Sequence, residues 1–451
     1  MEHDHCQHIL KALGAFDYAA ATKLIAKLSK IYQPFSYIFT RLCSCESSFT
    51  QLLFLRSRWF VMRKDIAVET VYTNLANELP REILNVISTT SLSNDDKSQF
   101  IIIMDALTKF CQLRREMINL YQAILAQSMK GEFDEILKEL ESVQEKMMEM
   151  NLQKDLDILG LGIEKEIGIL TCILRARLAI TNYAFQDACI ALFQTKQDLY
   201  EWKRICQEQD YPEKSSSKPD EAKEISTWRF HLFGQSESKL HHKQGDIWPN
   251  TIRWHARVLH NLTAKMTLFF YTILLEKERL VTEEDPEKSL WKGLKVDYYE
   301  QIATFKRKFG AYSISLVYEV TNDTPFYPQG YVCSSESTPY EPPQGIHSFP
   351  FIFCYPKDEI PTKHLPNIIS IIQQGSKHHK LLSDPKSGPI HFFDNTVGSN
   401  YYLMRIDKHT VMVIIYLDKH SHREPSTIEF MTNIVTSLRG SIVIEELINV
   451  D

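Results

Sequence analysis

At 451 residues the chain is long enough for about two to four domains, each able to bury its own core. Its 44% hydrophobic and 24% charged residues are those of an ordinary globular protein and exclude wholesale disorder. A formal net charge of −6 argues against nucleic acid as the main partner, because neutralising phosphates needs a basic surface. The densest local basic cluster, Arg56, Arg58, Arg63 and Lys64 around Trp59, reads as a solvated helix end.

Nine cysteines are scattered from Cys6 to Cys354 with no Cys-x-x-Cys pair, the pattern of a reducing compartment and not of a disulfide framework. Only 15 glycines occur, which suits a helix-rich chain because glycine costs roughly 1 kcal/mol against alanine inside a helix. No apolar signal segment follows Met1, and Leu268–Leu275, the most hydrophobic helical run, falls well short of the ~20 residues a membrane span needs. The expectation is a soluble protein.

In chain order, Phe16–Tyr32 places Leu24, Ile25, Leu28 and Ile31 on one helical face. A second helix after Pro34 runs through Leu42, Phe49, Leu53 and Phe60, and a third spans Lys64 to about Ile87, with Pro80 expected to kink or split it. Asn94-Asp95-Asp96 supplies a cap and first-turn acids for a long helix, Ser98–Met129. Its stripe is Ile102, Leu107, Phe110, Leu113, Met117 and Leu120, and Gly131 stops it.

Phe133–Met150, Ile163–Asn182 and Phe185–Gln209 complete an up-and-down bundle. Tyr211–Glu221 is a polar loop, expected to be mobile. After Pro249 a helix carrying Ile252, Leu259, Leu262, Met266, Phe269 and Ile273 is expected to run some 45 Å. Glu283–Gly293 is the expected interdomain linker.

Beyond it the period changes from 3.6 to 2. A helix, Val296–Phe309, ends at Gly310, and a strand runs from Ser313 to Val320. Asn322–Gln344, with Pro325, Pro328, Pro339, Pro342 and Pro343, is a surface excursion. Phe349–Tyr355 is a second strand, while Leu365–Gln373 suits a helix or a strand equally. A meander follows: Ile390–Asp394, Tyr401–Ile406 and Val411–Leu417, the last apolar on both faces as a central strand would be. A closing helix from Pro425 aligns Ile428, Met431, Val435 and Leu438 before Gly440. The division is thus a helical bundle, residues 1–283, followed by an α+β domain with a mostly antiparallel sheet, residues 294–451.

No motif brings a base to a nucleophile. Gly160-Leu161-Gly162 fails as a dinucleotide fingerprint, since position 165 is Lys165 and the context is helical. His3, His5, Cys6 and His8 sit on what reads as a frayed end, and His378-His379 and His420-x-His422 read as surface histidines. Cys43 and Cys45 would project about 200° apart on a helix and cannot grip one ion. His391 and Asp394 point to opposite sides of a strand. No metal or cofactor is expected. The one special feature is aromatic: Trp228, Phe230 and Phe233, followed by Gly234 and Gln235, lie between polar stretches. Such rings either tuck back onto the bundle, the commoner outcome, or anchor a partner.

Several of these stretches carry a resemblance. His231-Leu232-Phe233-Gly234-Gln235-Ser236, Leu262-Thr263-Ala264-Lys265 leading to Phe270-Tyr271, and Phe305-Lys306-Arg307-Lys308 resemble the KICSTOR complex subunit 2 family. Leu365-Pro366-Asn367-Ile368-Ile369, Pro389 to Asp394, and Val411 to Tyr416 resemble it more closely. The likeness covers about Arg63 to Gly440 and is strongest after Trp228; before Arg63 only a helical pattern is shared. The resemblance implies a helical N-terminal domain and a C-terminal roadblock- or longin-like α/β sandwich. It implies a non-enzymatic scaffold at lysosomes that tethers the GATOR complex and restrains the TOR kinase when amino acids or glucose are scarce. The implied partners are the very large scaffold subunit, kaptin and the FG-GAP repeat subunit, with membrane contact through partners only and a homodimer left open. The rival readings are a GTPase-binding or GTPase-regulating module in the sheet domain, and a hydrolase whose site is assembled from distant loops.

Overall fold

The computed structural model describes residues 2–30, 33–55, 67–88, 94–212, 214, 248–281, 285–332, 340–373, 382, 384, 386–418 and 424–448. The helices of the first part are α1 (Glu2–Gly14), α2 (Tyr18–Leu28), α3 (Gln33–Thr50), α4 (Val68–Ser88), α5 (Asn94–Ala126), α6 (Asp134–Met150), α7 (Leu152–Thr181) and α8 (Phe185–Glu208). Then come α9 (Asn250–Phe269), α10 (Tyr271–Arg279), α11 (Pro286–Trp291) and α12 (Tyr298–Phe309). The sheet part contains β1 (Ser313–Tyr318), β2 (Phe351–Tyr355), α13 (Leu365–Gln373), β3 (Ile390–Asp394), β4 (Ser399–Arg405), β5 (Thr410–Tyr416), α14 (Glu424–Arg439) and α15 (Ser441–Glu445).

Local chemistry sets many of these limits. The Asp17 carboxylate accepts from Ala20 N at 3.0 Å and caps α2, and Asp297 accepts from Glu300 N at 2.9 Å and caps α12. Asp285 caps α11, whose first residue is Pro286. Gly310 ends α12 at φ 65°, a conformation that glycine adopts without a Cβ penalty.

Several expectations are corrected. The N-terminus is not a frayed end: α1 buries Cys6, Ile9, Leu10 and Leu13 against α2 and α7. Of the kink or split expected at Pro80, the split does not occur: Pro80 lies inside α4. Ile102 is 43% exposed and faces away from the stripe of α5. The long helix after Pro249 breaks at Phe270, so that α9 and α10 meet at 83°. At the break the Phe270 ring is fully buried, 4.8 Å from Tyr183 and 5.3 Å from Phe185. Of the two readings open for Leu365–Gln373 the helix is the one observed, and α11 lies within Glu283–Gly293, with Leu290 and Trp291 buried.

The sheet has five antiparallel strands in the order β2-β1-β5-β4-β3. β5 is central and buried along its whole length, as its two apolar faces require. One face, with Ile314, Leu316, Met404, Met412 and Ile414, joins a single core with the helices, including α9, α12 and α14. The other face, with Val317, Leu403, Val411, Val413 and Ile415, packs under Leu365, Ile368, Ile371 and Ile372 of α13. The proline-rich excursion returns to the bundle, where Phe185 N donates to Gly330 O at 2.8 Å. Gly330 adopts φ +76°, and a Cβ there would stand 2.4 Å from that of Phe185.

No single described helix is long and apolar enough to cross a membrane; α9 and α10 pass that test only as a bent pair, and most of α9 is buried in the core.

Candidate functional site

Two buried polar centres organise the interior, and sequence patterning pointed to neither. The first lies inside the bundle. Arg114 of α5 donates from Nε and Nη2 to the two oxygens of Glu46 on α3, at 3.0 and 2.9 Å, and from Nη1 to Glu166 of α7 at 2.6 Å. Tyr72 donates to Glu46 at 2.5 Å and Tyr121 to Glu166 at 2.8 Å. Tyr121 has one proton, already given to Glu166, so His255 of α9, 3.2 Å away, is the donor through Nε2. The Phe49 ring lies 4.2 Å from the guanidinium.

Arg114, Glu46 and Glu166 are at most 3% exposed. Burial works against the Arg114 charge, but Glu46 and Glu166 outweigh it and hold its pKa well above the usual value. Burial holds His255 neutral, its pKa pushed down to about 3.

The second centre joins bundle and sheet. Lys265 of α9 donates at 2.9 Å to Asp407, in the β4–β5 turn. Asp407 also accepts from the backbone N–H of His409 and Thr410, at 3.2 and 3.0 Å. Around it the bundle's side chains cap the end of α14: Asn261 donates to Ser437 O at 3.1 Å and Arg177 to Arg439 O at 2.5 Å. Trp254 donates to Val443 O at 2.8 Å just beyond. These carbonyls lie at helix ends, where intrahelical donors run short, and Ser437 O also accepts from Gly440 N at 2.9 Å.

Arg177 lies over the Phe133 ring at 4.4 Å and beside Gly131 and Gly440, both with positive φ; a Cβ on Gly440 would come within 2.9 Å of its Nη1. Burial lowers its pKa to about 10, with Asp407 opposing. For Asp407 itself burial acts upward, and Lys265 overrides it to leave the carboxyl below its usual range.

The candidate residues from sequence now find their places. Trp228, Phe230, Phe233, Gly234 and Gln235 lie outside the described residues, as do the Arg56–Lys64 cluster, His378, His379, His420 and His422. Gly160 and Gly162 serve close packing inside α7: a Cβ on the first would meet the Leu152 carbonyl at 2.2 Å, and the second faces the Trp202 ring. His391 bonds Asn400 at 2.9 Å, while Asp394 accepts from Asn367 at 2.7 Å on the other side of β3. Among the described residues no group of three or more His, Cys, Asp and Glu side chains is placed to hold a metal ion. The cysteines Cys45, Cys111, Cys206 and Cys354 are buried thiols, held above their usual pKa mainly by burial.

Among the described residues, shallow grooves mark the surface. One, of about 370 Å³, runs between α7 and α8 past Arg175, Leu178, Ala184, Asp187 and Ile190. The other, of about 460 Å³, separates α10 from Pro328, Gln329 and Tyr331 of the excursion. Neither opens onto the buried polar centres. The polar groups of both centres find partners largely in one another and in helix ends, which is how side chains that fasten a fold behave.

The geometry therefore defines a class: a helical body fused through a shared core to a five-stranded antiparallel sheet, with its buried charge spent on structure. Comparison narrows the class. The family described as KICSTOR complex C12orf66 like matches residues 21–449, and the chain belongs to that family. KICSTOR subunit 2 of Danio rerio is 25% identical over 407 residues, covering 89% of this chain and 84% of that protein. KICSTOR subunit 2 of Xenopus laevis is 26% identical over 387 residues, covering 85% and 79%. The match reaches well N-terminal of Arg63, into helices whose likeness was only one of pattern.

Proposed function

We propose that this chain is a non-enzymatic adaptor subunit of a KICSTOR-type complex. In this reading it binds the very large scaffold subunit, kaptin and the FG-GAP repeat subunit. With them it recruits the GATOR complex to the cytoplasmic face of lysosomes and restrains TOR signalling when nutrients are scarce. The observation that carries the reading is the family match across residues 21–449, together with relatives named as subunits of that complex. The structure supports it in one respect: the buried ionisable groups are engaged with each other and with helix ends, and their work is to hold surfaces in place. We read residues 294–451 as the roadblock- or longin-like module, on the strength of its antiparallel sheet with helices on both faces.

The test is affinity purification of the tagged full chain from cells, with mass spectrometry of what accompanies it and fractionation of lysosomes. KICSTOR and GATOR subunits should co-purify, and the chain should leave lysosomes when the very large scaffold subunit is deleted. Purification without any of those subunits would sink the reading.

A further inference from the structure

The β4–β5 turn, where the sheet meets α9, carries a histidine whose side chain neither polar centre uses. His409 is fully buried. Its Nδ1 lies 3.1 Å from the carbonyl oxygen of Glu319, which can only accept, so Nδ1 carries the proton. The neutral ring then presents Nε2 as a lone pair, buried and without a hydrogen-bond partner among the described residues. The backbone fixes the ring in place: Glu319 N donates to His409 O at 2.7 Å, and His409 N donates to Asp407 at 3.2 Å. The ring stacks on Tyr318 with 5.3 Å between centroids, and Tyr318 lies 5.6 Å from Tyr183 of the bundle. His409 therefore sits in the layer that joins the two parts of the molecule.

The charges around the turn oppose a second proton on this ring. Lys265 of α9 donates to Asp407, and the same carboxylate supports Arg177 of α7 and Arg439 of α14 against burial. Arg405 of β4 donates to Glu319 at 2.9 Å and to Lys408 O at 2.8 Å. These cations, with Lys408, outnumber the carboxylates that face them, Asp407 and Glu319; Asp323 and Asp384 lie on the exposed rim. A proton on Nε2 would put a charge and an unpaired N–H inside a buried, cation-rich joint. Burial accordingly lowers the pKa of His409; the Glu319 carbonyl and Asp407 act against that shift and Lys408 adds to it.

We propose that the β4–β5 turn is an acid-released latch between bundle and sheet, with the His409 imidazole as its trigger. When the joint opens, the imidazole meets water and takes up a proton near its ordinary pKa of about 6.5. The closed joint is thus fully favoured above that pH and loses ground below it, by up to about tenfold per pH unit for one proton. Asp407 does not enter this window, because its carboxyl is held below the usual range. His255 obeys the same rule inside the bundle, so the two histidines must be separated by place.

The experiment is hydrogen exchange with mass spectrometry on the purified full chain at pH 7.5, 6.5 and 5.5, expressed as protection factors. Between pH 6.5 and 5.5 the β4–β5 turn, α14 and α15 should lose protection by up to about tenfold. His409→Asn keeps an amide N–H where Nδ1 stood but cannot titrate, so the acid step at the joint should vanish. His255→Gln should leave that step in place. Protection that stays flat across the range would overturn the proposal. So would an acid step that survives His409→Asn or disappears with His255→Gln. If His409→Asn is not recovered folded, the native profile and the His255→Gln profile decide between the same outcomes.

Discussion

The two buried polar centres solve one problem in different ways. Inside the bundle, charge is balanced by charge: Arg114 is shared between Glu46 and Glu166, brought from α3 and α7, with two tyrosine hydroxyls completing the carboxylates. At the junction with the sheet the buried ion pair is Lys265–Asp407, with the more exposed Arg257–Glu446 pair beyond it, and most of the work is done by neutral or dipolar contacts to helix-end carbonyls. The first arrangement ties helices of one body to each other and fails all at once. The second ties two bodies through many small bonds and fails by degrees. An adaptor gains from both, since the relative placement of its surfaces depends on the second and their existence on the first.

The sharpest way to break the comparison is Arg114→Leu. It leaves two carboxylates buried without their shared cation, and removing one partner from a buried charge network costs about 3–5 kcal/mol. Stabilities of domains are of the same order, so the variant should be recovered unfolded or aggregated. The triple change Arg114→Leu, Glu46→Gln, Glu166→Gln should recover folded protein, as judged by circular dichroism and urea unfolding. A single variant that melts like the native chain would show that the network carries no stability.

A smaller effect is expected at the junction. Lys265→Met leaves Asp407 with its two backbone donors but no cation, and Asp407 is 13% exposed, so water offsets part of the loss. About 2–3 kcal/mol is expected, less than for Arg114. In the double variant with Asp407→Asn the penalty should shrink to roughly 1 kcal/mol. The contrast with Arg114 would be sharpened by hydrogen exchange: protection should fall first in α14, α15 and the β4–β5 turn, while α3, α5 and α7 keep theirs. Uniform loss across the chain would show that bundle and sheet share one unfolding unit and that the junction is no softer than the core.

The strands and the central place of β5 were legible because their signals are local. Val411–Leu417 is apolar on both faces and can only be central, and Gly310, Pro389 and Gly398 punctuate the rest. The end of α12 was legible because Gly310 marks it. The polar centres were not. Arg114 and Glu46 are 68 residues apart, and Lys265 and Asp407 are 142 apart. In the sequence each looks like an ordinary surface charge. One hint was available: Arg114 lies among Phe110, Leu113 and Met117 on an apolar stripe, where a charge must find a partner. The break at Phe270 was hidden because no proline or glycine announces it; the cause is a long-range contact with Tyr183 and Phe185.

The mildest test uses protons in place of substitutions alone. His255 is fully buried with its pKa held down to about 3, whereas a free histidine titrates near 6.5. Below pH 6.5 the unfolded chain therefore binds a proton that the folded chain refuses, so stability must fall as pH falls, until the folded pKa is reached. Each pH unit in that window costs about 1.4 kcal/mol, so descending from pH 6.5 to 4.5 should remove roughly 2–3 kcal/mol through this one side chain. Asp407 adds loss of the same sign only further down, as pH falls below the ordinary carboxylate range, because its depressed pKa favours the folded state while it is ionised. His255→Gln cannot titrate but keeps a side-chain N–H able to donate to Tyr121. Urea unfolding at pH 7.5, 6.5, 5.5 and 4.5 should then show a shallower acid slope for the variant, by close to one proton, with little difference above pH 7. Parallel slopes would mean that the imidazole is already charged in the folded bundle, as a partner to the excess carboxylate around Arg114, and the interior centre would then be balanced by two cations instead of one.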